Sequence, residues 1–158
     1  MRRVILLLAL FSAAASAQLP GLRKRDPAQP PVPVLVGIDA LRADFVARTG
    51  SDIVYFGGDA SVLTPQAQIT LQAQAAWLRQ HPEVTVRIEG YADPSDTRDH
   101  ALAVGARRAE EVRSYLVLLG VPAAQLTTLS WGKEKVAVLG TAPAALALNR
   151  RTVTVLVR

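Results

Sequence analysis

Five of the ten prolines fall between residues 18 and 36, in the stretch QLPGLRKRDPAQPPVPVLV, and that concentration decides where a fold can begin. Proline fixes φ and removes a backbone donor, so the stretch reads as an extended, polyproline-like tether and not as part of a sheet. Residues 18–37 are expected to form a linker. What remains downstream is about 120 residues, enough for one domain with a modest core.

Upstream of the tether the pattern is that of an address. Arg2 and Arg3 form a basic head, Val4 to Phe11 is unbroken apolar sequence, and Ala15-Ser16-Ala17 has the small-x-small form that a signal peptidase reads. Residues 1–17 are therefore expected to be a signal peptide cleaved before Gln18, with an uncleaved amphiphilic anchor as the alternative. The apolar run is too short for a comfortable permanent span. Loss of residues 1–17 removes two arginines and no acids, which lowers the formal charge from +5 to +3. That mild excess gives little reason to expect a nucleic-acid partner. Arg23-Lys24-Arg25 in the tether reads as a solvated run, or as a weak contact with anionic lipid headgroups.

Beyond the tether, strand and helix periods alternate. Ile38 to Thr49 suits a short helix ended by Gly50, and Ile53 to Phe56 is a brief β-rich run. Thr64-Pro65 places a hydroxyl N-cap before a proline at the first helical position. The helix that follows is expected to reach Gln80, with Ile69, Ala73, Ala76 and Trp77 on one face and glutamines on the other. Val84, Val86 and Ile88 alternate with polar residues as in a half-buried strand, and Gly90 to Arg98 reads as a polar loop. A longer helix is expected to Leu119, striped by Leu102, Ala106, Ala109, Val112, Leu116 and Leu119. Strands at Thr127–Trp131 and Thr152–Val157, the latter with its valines on one side, complete the order β-α-β-α-β-(loop)-β. The economical architecture is α+β: a single sheet covered by helices on one face.

The catalytic and metal constellations are poorly represented. With no cysteine there is no thiol nucleophile, thiolate zinc site or disulfide framework, and two histidines with one methionine leave little for a transition metal. Asp93, Asp96 and Asp99 step by three, whereas EF-hand ligands step by two and need a closing glutamate. His81, before Pro82 at a helix end, reads as a capping residue, and His100 as a surface residue. Neither stands in a pattern with a nucleophile, and no enzyme, cofactor or metal is expected. The segment from Gly90 to Ala109 is more informative. It puts an acid, Asp93, in a strand-to-helix loop and a guanidinium on the following helix. Such a pair can grip the zwitterionic end of an amino acid, carboxylate to ammonium and arginine to carboxylate. A plain salt bridge is the alternative.

That segment, Gly90-Tyr91-Ala92-Asp93 through Arg108-Ala109, resembles the signature of the OmpA-like C-terminal domain family, and within it the peptidoglycan-associated lipoproteins (Pal). Four further matches follow in order: Val54-Tyr55-Phe56; Asp59 with Leu63-Thr64-Pro65; Trp131-Gly132-Lys133-Glu134-Lys135; and Asn149-Arg150-Arg151. The likeness covers roughly residues 44–158. It implies a two-layer OmpA-like sandwich with a mixed sheet of about four strands. It also implies a periplasmic domain, with outer-membrane association as a further option, that holds the peptidoglycan stem peptide through diaminopimelate. By position, Asp93 would receive the ammonium and Arg108 the carboxylate. Asp59, Thr97 and Leu102 would lie beside the groove, while Asn149 and Arg150 would fasten the last strand to the loops.

The sequence departs from the family pattern in specific places. Tyr91 replaces a histidine, Asp96 a turn glycine and Ala101 a helix-start asparagine, and Gly57-Gly58 stand where an Asp-Phe pair is usual. The lipid-accepting cysteine is missing. The resemblance leaves two expectations: a tethered murein-binding module, or a protein-interaction unit serving Tol-system partners without binding murein.

Overall fold

In the computed structural model, which describes residues 37–157, a four-stranded mixed sheet carries three helices on one face. The elements run α1 (Ile38–Thr49), β1 (Ile53–Tyr55), α2 (Pro65–Gln80), β2 (Val86–Tyr91), α3 (Arg98–Leu118), β3 (Leu126–Gly132), α4 (Pro143–Asn149) and β4 (Arg151–Leu156), with one 3-10 turn at Ala123–Gln125. In space the strands are ordered β1-β4-β2-β3. β2 and β3 are parallel and joined through α3, while β4 lies antiparallel to both β1 and β2. This is the expected α+β sandwich. The expected leader, and the linker apart from Gly37, lie outside the described residues.

The starts and stops follow local chemistry. Thr64 caps α2 by accepting from the Ala67 N–H at 3.2 Å, with Pro65 in the first turn. His81 is the C-cap residue of α2, as its place before Pro82 suggested, and its ring stacks on Trp77 at 3.7 Å between centroids. Trp77 in turn meets Phe45 of α1 edge-on at 5.1 Å and donates from Nε1 to Asp44 at 2.8 Å. Leu71, Leu78, Val84, Val86, Ile88, Val112 and Leu116 fill the layer between sheet and helices.

Several faces are rotated from their expected positions. On α2 the buried residues are Ala67, Leu71, Gln74, Ala75, Trp77 and Leu78, while Ile69 is exposed. Gln74 is buried because its amide bridges the α1–β1 connection and β4, donating to Ser51 O at 2.9 Å and accepting from the Thr154 hydroxyl at 2.9 Å. On β4 the valines share one side, as their alternation implies, and the opposite side, with Thr152, Thr154 and Leu156, is the one that packs on the core. On α3 Ala106 is exposed, and the stripe runs through Ala101, Val104, Gly105, Arg108, Ala109, Val112 and Leu116. The polar loop expected from Gly90 begins two residues later, since Gly90 and Tyr91 belong to β2. The stretch expected to be a loop before the last strand contains α4, which starts at Pro143.

One close approach fixes where α3 sits. A methyl group on Gly90 would overlap the Gly105 carbonyl, and one on Gly105 would overlap the Ser130 hydroxyl. Glycine at both positions lets the helix backbone rest on β2, three residues from Arg108.

Candidate functional site

The end of β2 delivers Tyr91, Ala92 and Asp93 to one end of the sheet, and α3 starts back from that end with Arg108 on its sheet-facing stripe. Asp93 opens a turn closed by its own side chain: Oδ1 accepts from the Ser95 N–H at 3.0 Å and from the Ser95 hydroxyl. Its other oxygen, Oδ2, accepts from Arg150 Nη1 at 3.1 Å. Asp93 is 6% exposed. Burial acts to raise its carboxyl, but the two Ser95 hydrogen bonds and Arg150 outweigh that and hold it below the ordinary carboxylate range.

Arg108 is fully buried, and its hydrogen bonds go to neutral acceptors. Nε donates to Ala60 O at 3.0 Å, Nη1 to Tyr91 O at 2.9 Å and Nη2 to Gly58 O. The Phe56 ring lies under the guanidinium, 5.3 Å from its centroid. Burial weakens the hold of Arg108 on its proton, and the charges of Asp59 and Asp93 partly offset this. Asp93 and Arg108 thus share one end of the sheet without a hydrogen bond between them. Each is engaged inside the chain, the acid by Arg150 and the base by the segment Gly58–Ala60.

The remaining expected site residues surround this pair. Thr97 is exposed and caps α3 by accepting from the His100 N–H at 3.4 Å. Leu102 is half-buried, and its carbonyl accepts from the Ser130 hydroxyl at 2.7 Å. Asp59 is exposed on the segment that covers Arg108, and it faces Asp96 and His100: one side-chain ligand atom from each lies within 4.8 Å of the other two. Among the described residues these three form a donor set of the spacing a metal ion takes, with Asp59 and His100 exposed and Asp96 partly buried. His100 Nε2 is 3.7 Å from Asp96 Oδ2.

Asn149 fastens the neighbouring loop. It accepts from Ala137 N at 2.7 Å and donates to Val138 O at 2.8 Å and Ala145 O at 3.1 Å. Lys133 holds the Asp96 carbonyl, and Arg98 pairs with Glu134 at 2.7 Å, so the Lys133–Lys135 turn clamps the loop after Asp93. Below it Tyr91, in place of the family histidine, donates to Glu89 at 2.5 Å and stacks under Arg151 at 4.0 Å. Burial and the Glu89 contact push the Tyr91 hydroxyl well above its ordinary range, so this position carries no charge change near neutral pH.

Arg150 was expected only to fasten the last strand. It does so, since its carbonyl accepts from Phe56 N at 2.8 Å, but it also neutralises Asp93 across 57 residues of sequence. Ser95 was not anticipated; an Asp-x-Ser turn signal was available for it. The carbonyls on Arg108 leave no trace in residue identity.

Comparison with known proteins agrees with this architecture. The model for the OmpA family matches residues 55–150. A peptidoglycan-associated lipoprotein of Agrobacterium fabrum is 42% identical over 113 residues, covering 72% of this chain and 63% of that protein. A protein of the same name from Haemophilus influenzae is 44% identical over 100 residues, 63% of this chain and 65% of its own length. The chain thus matches slightly under two thirds of the length of these relatives. The crystal structure of the peptidoglycan-associated lipoprotein from Burkholderia pseudomallei superposes with a TM-score of 0.66 at 41% identity, over 68% of this chain and 91% of that one. The C-terminal domain of Helicobacter pylori MotB has the same fold, with a TM-score of 0.63 at 18% identity over 68% of this chain and 84% of that one.

Proposed function

This chain belongs to the OmpA family, and from that premise we propose that it is a binding module that holds peptidoglycan non-covalently on the periplasmic side of the envelope. The ligand proposed is the free amino-acid end of diaminopimelate in the stem peptide. The observation that carries the reading is the placement of Asp93 and Arg108, both desolvated, at one end of the sheet with opposite charges that do not neutralise each other directly. A ligand ammonium would take over Asp93 Oδ2 from Arg150. A ligand carboxylate would replace neutral carbonyls on Arg108, and a charge-assisted, two-pronged contact is stronger than those it displaces. Asp59, Thr97 and Leu102 are proposed to line the approach. The work proposed is binding, with no bond made or broken.

The test is co-sedimentation of the protein with diaminopimelate-type sacculi at low salt. Wild type should pellet, and Asp93→Asn or Arg108→Lys should remain in the supernatant. Wild type left in the supernatant would end this reading. A second reading, a protein-interaction unit for Tol-system partners, is favoured by one observation: both charges of the pair already have partners within the chain. It predicts a stoichiometric complex with such a protein that neither substitution disturbs.

A further inference from the structure

Arg108 is a buried cation among neutral acceptors, and two of its three hydrogen bonds go to one short segment, Gly57-Gly58-Asp59-Ala60. All four residues of that segment are exposed, so its outer side packs on nothing. Its base is firm: Phe56 N–H donates to Arg150 O at 2.8 Å, and the Phe56 side chain is buried. The following helix is equally firm, with Leu63 in the core and Thr64 capping α2. Between these anchors stand two consecutive glycines. Gly58 has φ +50, in the left-handed region, and a side chain at either glycine would meet open space, so packing does not explain their small size. At the far tip Asp59 reaches across to Asp96 and His100, which sit on the loop and first turn that follow Asp93.

We propose that Gly57–Ala60 is a lid, closed here over Arg108, which swings on its glycine pair and admits a carboxylate-bearing ligand to the place its carbonyls now hold. The inference rests on the binding reading above for the ligand, but the motion itself is independent of it. The closed lid supplies two neutral acceptors that keep the empty site from leaving a desolvated guanidinium unsatisfied. A carboxylate offers the same two hydrogen bonds plus the opposite charge, so exchange favours the ligand once the lid has opened. At the rim the Asp59 carboxylate lies within 4.8 Å of Asp96 and His100, and among the described residues no hydrogen bond or ion pair there holds the tip of the lid shut. With few buried contacts of its own, the segment belongs to the low-stability end of the local-opening range.

The test is a lock across the mouth: Asp59→Cys with His100→Cys, oxidised to a disulfide and then reduced. The readout that needs no ligand is modification of Arg108 by phenylglyoxal, located by peptide mass spectrometry under native conditions. The reduced protein should be modified at Arg108, and the oxidised protein at least about tenfold more slowly, as expected when a local opening is blocked. Sacculus binding, whatever its level in the double variant, should be weaker in the oxidised form than in the reduced form of the same protein. Equal modification rates in the two forms, or no native-state modification of Arg108 in the reduced form, would overturn the lid. If the double variant fails to fold, Asp59→His replaces it: zinc bridging the new histidine to His100 should slow Arg108 modification, and EDTA should restore it. Wild type that ignores sacculi would sink the proposed function, while the modification contrast would still decide the lid.

Discussion

The two charges of the site are held in opposite ways. Asp93 has a charged partner in Arg150 and an ordered turn around it, whereas Arg108 is buried deeper and meets only backbone carbonyls. An acid already paired with a cation gains little from a second one, because the ligand ammonium must compete with Arg150. A guanidinium held by neutral dipoles gains a full counter-charge when a carboxylate arrives. On this account the carboxylate end of a ligand supplies the larger share of the binding free energy, while the Asp93 charge is still required, because without it Arg150 would face the ligand ammonium unopposed.

The sharpest way to break the contrast is to move Arg108 itself. Gly90→Ala forces the Gly105 carbonyl off β2 and displaces α3, so stability should fall by about 3 kcal/mol or more in denaturant melts. Arg108→Ala leaves the Gly58, Ala60 and Tyr91 carbonyls without their donor and opens a cavity. About 2–4 kcal/mol of stability should be lost, together with all sacculus binding. Arg108→Lys keeps the charge but not the fork, and should bind no better than Arg108→Ala while folding more stably.

The acid side should respond more mildly. Asp93→Asn keeps the shape but removes the charge facing Arg150, at an expected cost of about 1–2 kcal/mol near neutral pH. Because the folded-state carboxyl lies below its unfolded value, its stabilisation is fully present above about pH 4 and is lost as pH falls through the folded value. Wild type and Asp93→Asn should therefore converge in stability as unfolding is measured from pH 7 down towards about pH 3. Arg150→Gln is the smallest change, about 1 kcal/mol, because the two Ser95 hydrogen bonds still hold the carboxylate, and it should move the Asp93 carboxyl titration upward in a carbon-13 NMR series.

How much of this was legible in the sequence varies with the kind of interaction. Capping and chain-breaking signals are local, so Thr64-Pro65 and Pro82 placed α2 to within a residue or two, and the end of the polar stretch at Arg98 placed the start of α3. Which face is buried depends on distant partners. Gln74 turns inward because Ser51 and Thr154 satisfy its amide, and no periodicity in α2 announces that. The helix at Pro143 was missed because it is seven residues long and Ala142 has no side chain with which to cap it. At the site, family likeness brought Asp93 and Arg108 to attention, and the structure places both at one end of the sheet. Their engagement was not legible. Arg150 reaches Asp93 from 57 residues away, and the acceptors on Arg108 are backbone oxygens that any residue would supply.

The claim at the centre is that one desolvated acid and one desolvated guanidinium clasp the two charges of a single amino-acid end. Calorimetric titration of meso-diaminopimelate into the protein at low salt tests it most directly. The account predicts saturable heat for wild type and none for Asp93→Asn or Arg108→Lys. Saturable binding that survives both substitutions, or no heat from a wild-type protein that still pellets with sacculi, would contradict it.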